Sequence, residues 1–252
     1  MESKPRKIAF VSGKGGVGKT LLAANFAFCS STVQKTLLID LDFQNQGASG
    51  LLAEHLKNNC LNAFDLLIAV QKDQQAINIR NNLYFLPAFD PSKIDRFGSQ
   101  DRAAFDAARI VDMNAIFNKL IAEGQYELVI LDCHGGLDEV SFSSFICSDV
   151  TFVVTEADKV TFSGTLELLD FYINRAAALS RAPNEPLGMT SQAPAIITDR
   201  VTNIEVNDVR FLINRVSGQL SYDNLRSILA QQFYENIDSF TKDDQRFFLY
   251  PS

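Results

Sequence analysis

Apolar and polar positions along this chain alternate in a rhythm of short apolar runs separated by longer stretches with helical spacing. Lys7-Ile8-Ala9-Phe10-Val11-Ser12 reads as a buried strand, and Leu21 to Ser31, rich in helix formers and small apolar residues, as the helix after it. Thr36-Leu37-Leu38-Ile39-Asp40 is a second buried strand, followed by short helices over Ala48 to Leu56 and Leu61 to Val70. Asn82 to Leu86 gives a third strand, a long helix follows from about Asp101 to Ala122 with a break near Asp112, and Tyr126 to Asp132 is the clearest strand of all. Val150 to Val154 adds another strand before a helix from Ser163 to Ser180, on which Leu166, Leu169, Ile173 and Ala176 share one face. Asp208 to Asn214 returns as a strand, and the apolar Arg246 to Ser252 is strand-like at the end. Strands alternating with helices predict an α/β fold with a mostly parallel central sheet covered by helices on both faces. Residues 181–207 break the pattern, being turn-rich at first and then without a long period.

Composition narrows the class. At 252 residues, 46% hydrophobic and 21% charged, the chain can form one sizeable α/β domain spanning 1–252. Its net charge of −7 and pI near 4.9 provide no global positive field for nucleic acid or anionic lipid. The six arginines from Arg175 to Arg226 stand against five acids and form no basic run. Four scattered cysteines (Cys29, Cys60, Cys133, Cys147) form no C-x-x-C pair. With no signal peptide and no long apolar stretch, they predict a reduced, cytoplasmic setting.

The chemistry concentrates in Gly13-Lys14-Gly15-Gly16-Val17-Gly18-Lys19-Thr20, between the first strand and its helix. This is G-x-x-x-x-G-K-[ST], a phosphate cradle. Its glycines let successive backbone N–H groups, including that of Val17, wrap an anion at the positive end of the helix. Lys19 reaches the β- and γ-phosphates and the Thr20 hydroxyl sits on Mg²⁺. Asp40 and Asp42 follow the second strand, and Asp132 ends the apolar Tyr126 strand, all at carboxyl ends where open α/β sheets bind ligands. Cys133-His134-Gly135-Gly136 comes next, and its paired glycines suit a loop that changes backbone conformation. His134 is a candidate sensor or proton carrier beside a γ-phosphate, against the plainer role of packing that loop.

With the extra lysine Lys14 ahead of Lys19, the loop resembles the deviant Walker A of the MinD/ParA family of dimeric P-loop ATPases. Further blocks out to about residue 215 match that family in order and spacing. The resemblance implies a homodimer bridged by two ATP molecules, with Lys14 crossing to the partner's nucleotide, and slow ATP hydrolysis that positions a cargo. It implies ATP, ADP and Mg²⁺ as cofactors. Asp132 takes the Walker B role, Asp40 supports the Mg²⁺ shell, Asp42 orients the attacking water, and Asn214 reads the adenine edge. An activating protein partner is expected, with the helix 163–180 and residues 181–207 as candidate contacts. Non-specific DNA is an open partner, and the visible end, Thr241 to Phe248, is not a basic membrane-binding helix. Relatives usually continue with a further helix, so a truncated C-terminus is one reading of this end.

There are departures. Leu21 stands where many relatives bond the α-phosphate through a threonine, Phe43 replaces a common proline, and Asn45-Gln46-Gly47 is not the usual Gly-Asn order. Two alternatives stay open: the iron–sulfur carrier or nitrogenase-reductase branch, which needs cysteines meeting at the two-fold axis, and a nucleotide-gated scaffold with little turnover.

Overall fold

The computed structural model describes residues 5–58, 60–67, 75–89, 113–181, 208–214 and 249–250. Its strands are β1 (Arg6–Ser12), β2 (Thr36–Leu41), β3 (Ile77–Arg80), β4 (Leu83–Leu86), β5 (Leu128–Gly135), β6 (Val150–Glu156), β7 (Asp208–Asn214) and β8 (Leu249–Tyr250). Its helices are α1 (Lys19–Ser30), α2 (Gly47–Leu51), α3 (Ala63–Leu67), α4 (Met113–Gly124), α5 (Glu139–Cys147) and α6 (Lys159–Arg181). The strands form one sheet in the order β3-β4-β2-β5-β1-β6-β7-β8. Every neighbouring pair is parallel except β3 with β4. This is the expected α/β architecture.

The inner strands read as continuous apolar runs because both faces of a parallel sheet are covered. Ile8 and Phe10 of β1 pack with Ala23, Ala24 and Ala27 of α1 on one face. Ala9 and Val11 alternate to the other face, against Phe117 of α4, Phe142 of α5 and Leu168 and Tyr172 of α6. Small alanines on α1 let that helix lie close to the sheet. This fixes the helix N-terminus over the carboxyl end of β1.

Four readings change in detail. The antiparallel β3 has a signal that helical and parallel-strand templates overlook. Ile77 and Ile79 alternate with Asn78 and Arg80 ahead of an Asn81-Asn82 turn, in which Asn81 has a positive φ of 20°. Helix α5 hides behind its serines. Asp138 caps it by accepting from Ser141 N, and Ser143 and Ser144 donate back to the carbonyls of Glu139 and Val140. Strand β5 does not stop at Asp132 but runs to Gly135, which pairs with Ser12. On α6 the buried face is Thr161, Thr165, Leu168, Leu169 and Tyr172, while Leu166 and Ile173 are only half-buried. The expected helix after Asp101 is described only from Met113, and residues 182–207 lie outside the described residues.

Candidate nucleotide site

The loop between β1 and α1 is a backbone structure locked by close approach. A Cβ added to Gly13 would fall 1.8 Å from the carbonyl oxygen of Gly164 on α6, so only glycine fits. Gly16 and Gly18 have φ of 83° and 86°, a left-handed region that costs other residues. Gly18 caps α1 in that conformation, and Lys19 and Thr20 open the helix. Around Gly15 and Gly16 there is open space, with nothing within 4 Å of an added Cβ. The loop therefore presents backbone to the exterior on one side and is packed by glycine contacts on the other.

Two other segments press against it. Gly135 meets the Lys14 carbonyl and Gly15 backbone, where a Cβ would lie 2.8 Å away, and Gly136 N donates to Ser12 O at 2.9 Å. Asn214, at the end of β7, donates its amide to Val17 O at 2.9 Å and fills the space beside Gly18. The residue expected at an adenine edge is thus also a brace for the phosphate loop.

Beneath the loop lies a buried ion pair. Lys19 Nζ is 3.3 Å from Asp132 Oδ1, with both side chains sealed from solvent. Burial raises the Asp132 pKa, and the Lys19 charge opposes that shift. The second oxygen, Oδ2, is buried with no hydrogen-bond partner among the described residues. A buried carboxylate oxygen beside a lysine and a helix N-terminus suits a site that receives a hydrated cation and phosphates.

Asp40 is the register neighbour of Asp132 across β2 and β5. Burial, reinforced by the Asp132 charge, pushes its pKa up to about 7. Its oxygens face the following loop: Oδ2 accepts from Ser49 N and Oγ, both at 2.8 Å, and Oδ1 from Asp42 N at 3.0 Å. Asp42, two residues on, accepts from Gln44 N and from the backbone and side chain of Asn45. Phe43, between them, rests against Phe64 and Phe89 with ring centroids 6.1 and 5.4 Å away.

His134 is half-buried, and its Nδ1 lies 3.4 Å from Asp138 Oδ2, which raises the imidazole pKa. Lys14 is exposed, and its side chain makes no hydrogen bond or ion pair among the described residues. Leu21 is 58% exposed on the outer face of α1. Cys133 and Cys147 are both buried in the core, and burial drives the Cys133 thiol pKa upward. Neither presents sulfur at a surface where two copies could share a cluster.

A glycine loop between the central strand and its helix, a lysine–aspartate pair under it and carboxylates at two neighbouring strand ends define a P-loop nucleotide-binding protein. A profile of the family described as "AAA domain" matches residues 5–181. The chain belongs to that family, among the ParA/MinD P-loop ATPases. The chromosome-partitioning ATPase Soj of Treponema pallidum is 28% identical over 170 residues, 65% of this chain and 62% of the relative. The match thus spans less than two thirds of that relative's length. Among solved structures, a plasmid partition protein from Borrelia burgdorferi superposes with a TM-score of 0.65 at 21% identity, covering 98% of this chain and 89% of that one. The septum site-determining protein MinD from Pyrococcus horikoshii, complexed with Mg-ADP, gives a TM-score of 0.54 at 23% identity, covering 69% of this chain and 66% of that one.

Proposed function

We propose that this chain is a Mg²⁺-dependent ATPase that dimerises around ATP and separates after slow hydrolysis, using the cycle to position a cargo. The observation that carries the reading is the buried Lys19–Asp132 pair beneath the glycine loop, with Asp132 Oδ2 left unpartnered.

The backbone N–H groups from Gly13 to Gly18 receive the phosphates, and Lys19 turns from Asp132 toward the β- and γ-phosphates when they arrive. Thr20 and Asp132 would hold the Mg²⁺ shell, with Asp40 behind them fixing the strand end. When bound, Mg²⁺ would supply neutralisation of the phosphate charge. Leu21 borders the α-phosphate without bonding it, and Asn214 offers its amide toward the base. Asp42 orients the attacking water. Charge developing in the transition state is met by Lys19 from within and by Lys14 from the facing subunit.

Support for the dimer comes from three exposed groups on the segments that pack around the loop. Lys14 is exposed and its side chain makes no hydrogen bond or ion pair among the described residues, Asp158 being the acid whose charge reaches it. Leu137 beside Gly136 is 50% exposed, and Val160, one helical turn before Gly164, is 66% exposed. The relatives named for chromosome and plasmid partitioning support a DNA-borne cargo, and the Mg-ADP of the MinD neighbour supports the cofactor. An activating protein and non-specific DNA are the partners to seek. No helix among the described residues is long and apolar enough to cross a membrane. We place the protein in the cytoplasm.

The test is solution mass with ADP and with ATP plus Mg²⁺, wild type beside Asp42→Ala, together with phosphate release. An ATP-dependent dimer that persists in Asp42→Ala is expected. A monomer in every state would overturn the dimer, and absence of nucleotide binding would overturn the function.

A further inference from the structure

The side chain of Asp42 is held in an unusual way. Its Oδ1 accepts from Gln44 N at 3.2 Å and from Asn45 N at 2.9 Å. The Asn45 amide then donates to both oxygens at once, 3.3 Å to Oδ1 and 3.1 Å to Oδ2. A single N–H₂ group shared between two carboxylate oxygens lies across the front of the carboxylate. That is the direction from which a carboxylate best accepts a water proton. Among the described residues, Oδ2 accepts from nothing except Asn45.

The loop around this clasp is fixed. Asp42 is buried at 5% exposure, its N–H is held by Asp40, and its carbonyl accepts from Gln46 N at 2.8 Å. Phe43 is seated among Phe64 and Phe89, and Ser49 ties the far end of the loop to Asp40. Asn45, by contrast, is exposed. Its amide can swing outward by side-chain rotation alone, with no core contact to break. The two shared bonds are longer than the usual 2.9–3.0 Å, so they are weak enough to exchange with water.

We propose that Asn45 is a built-in brake on hydrolysis, a positioning residue whose amide competes with the attacking water for Asp42 Oδ2. The proposal rests on the assignment of Asp42 to water orientation. A water that takes the face of Oδ2 held by Asn45 does so with the amide displaced, so the basal rate is lowered by the equilibrium of that displacement. Nucleotide affinity is untouched, because Asn45 has no part in the phosphate loop. A partner that draws the exposed amide outward would accelerate turnover without altering the phosphate contacts.

The experiment measures single-turnover hydrolysis and ATP affinity for wild type, Asn45→Ala, Asn45→Leu, Asn45→Gln, Asp42→Ala and the double variant Asn45→Ala/Asp42→Ala. Loss of one modest hydrogen bond corresponds to about a fivefold rise in the hydrolysis rate for Asn45→Ala and Asn45→Leu. ATP affinity is expected to stay unchanged. Leucine keeps the volume and removes the donor, while glutamine restores a donor and is expected to return the rate toward wild type. A residue that merely supports the loop would lower the rate and the melting temperature together. A rate at or below wild type in both Asn45→Ala and Asn45→Leu overturns the brake. So does a gain that survives in the double variant, since it would not act through Asp42. Full turnover in Asp42→Ala alone overturns the assignment of Asp42 instead, and a wild type without turnover overturns the function itself.

Discussion

The two loops that meet at this site are built by opposite means. The loop after β1 is held mainly by backbone, with Gly13 in direct contact with Gly164, Gly16 and Gly18 at positive φ, and two side-chain bonds, from Ser12 Oγ to Lys14 O and from the Asn214 amide to Val17 O. The loop after β2 is held by side chains, with the Asp40 and Asp42 carboxylates accepting from Asp42, Gln44, Asn45 and Ser49. A backbone cradle is rigid and indifferent to protonation, which suits phosphate binding. A carboxylate-centred loop responds to charge and to small side-chain rotations, which suits a step that must be timed. Binding and timing are thus placed in loops of different stiffness, one strand apart in function but joined through the Lys19–Asp132–Asp40 row at the strand ends.

The contrast can be broken at several points. Asp42→Ala is expected to have the largest effect, a loss of turnover of about a thousandfold with ATP binding retained, seen by phosphate release beside nucleotide titration. Gly13→Ala strikes the other loop. Its Cβ cannot coexist with the Gly164 carbonyl, so a stability loss of about 3 kcal/mol and loss of nucleotide binding are expected by denaturant titration. Ser49→Ala removes the hydroxyl that donates to Asp40 and accepts from Ala88 N at 3.0 Å. A loss of about 2 kcal/mol is expected, because two buried groups lose their partner.

Acidity sharpens the same comparison. In the native protein the Asp40 pKa stands at about 7 against 3.8 unfolded, so the folded state binds the proton more tightly. The stability contributed by protonated Asp40 is fully present below pH 3.8 and is lost as the pH rises through about 7. Urea midpoints between pH 5 and 8 are expected to show this decline, and Asp40→Asn to flatten it. The smallest effect belongs to Gly15→Ala, where nothing lies within 4 Å of the new Cβ and φ is not positive. A change below about 0.5 kcal/mol is expected, so two substitutions two residues apart would differ severalfold in cost.

Elements with local causes were legible from the residues. The apolar runs of β1, β2, β5 and β6 announced a parallel sheet because each is buried on both faces, and β7 was read with the ends the structure gives it. The glycine loop was legible because its function requires residues without side chains at fixed spacing. Strand β4 lies within the expected Asn82–Leu86 strand, whereas its antiparallel partner β3 and helix α5 are matched by no expected element. Strand β3 is four residues long and half polar, and α5 is one-third serine, with Ser143 and Ser144 satisfied by bonding back to the helix. The buried face of α6 was misplaced by part of a turn, because Thr161 and Thr165 form it through Thr165 bonding to Thr155 at 3.0 Å, which no apolar count reveals.

By itself, then, the sequence determined the fold class, the phosphate loop and the identity of the acids at the strand ends, since each follows from the needs of neighbouring residues. Only the tertiary structure decided what those acids do with their oxygens. Asp40 turned toward Ser49, Asp42 was enclosed by Asn45, Asp132 was left with one open oxygen, and Asn214 was brought 197 residues along the chain to brace Val17. Hydrogen bonds between distant strand ends depend on register and loop path. These are settled by packing the whole sheet and not by any local run of residues.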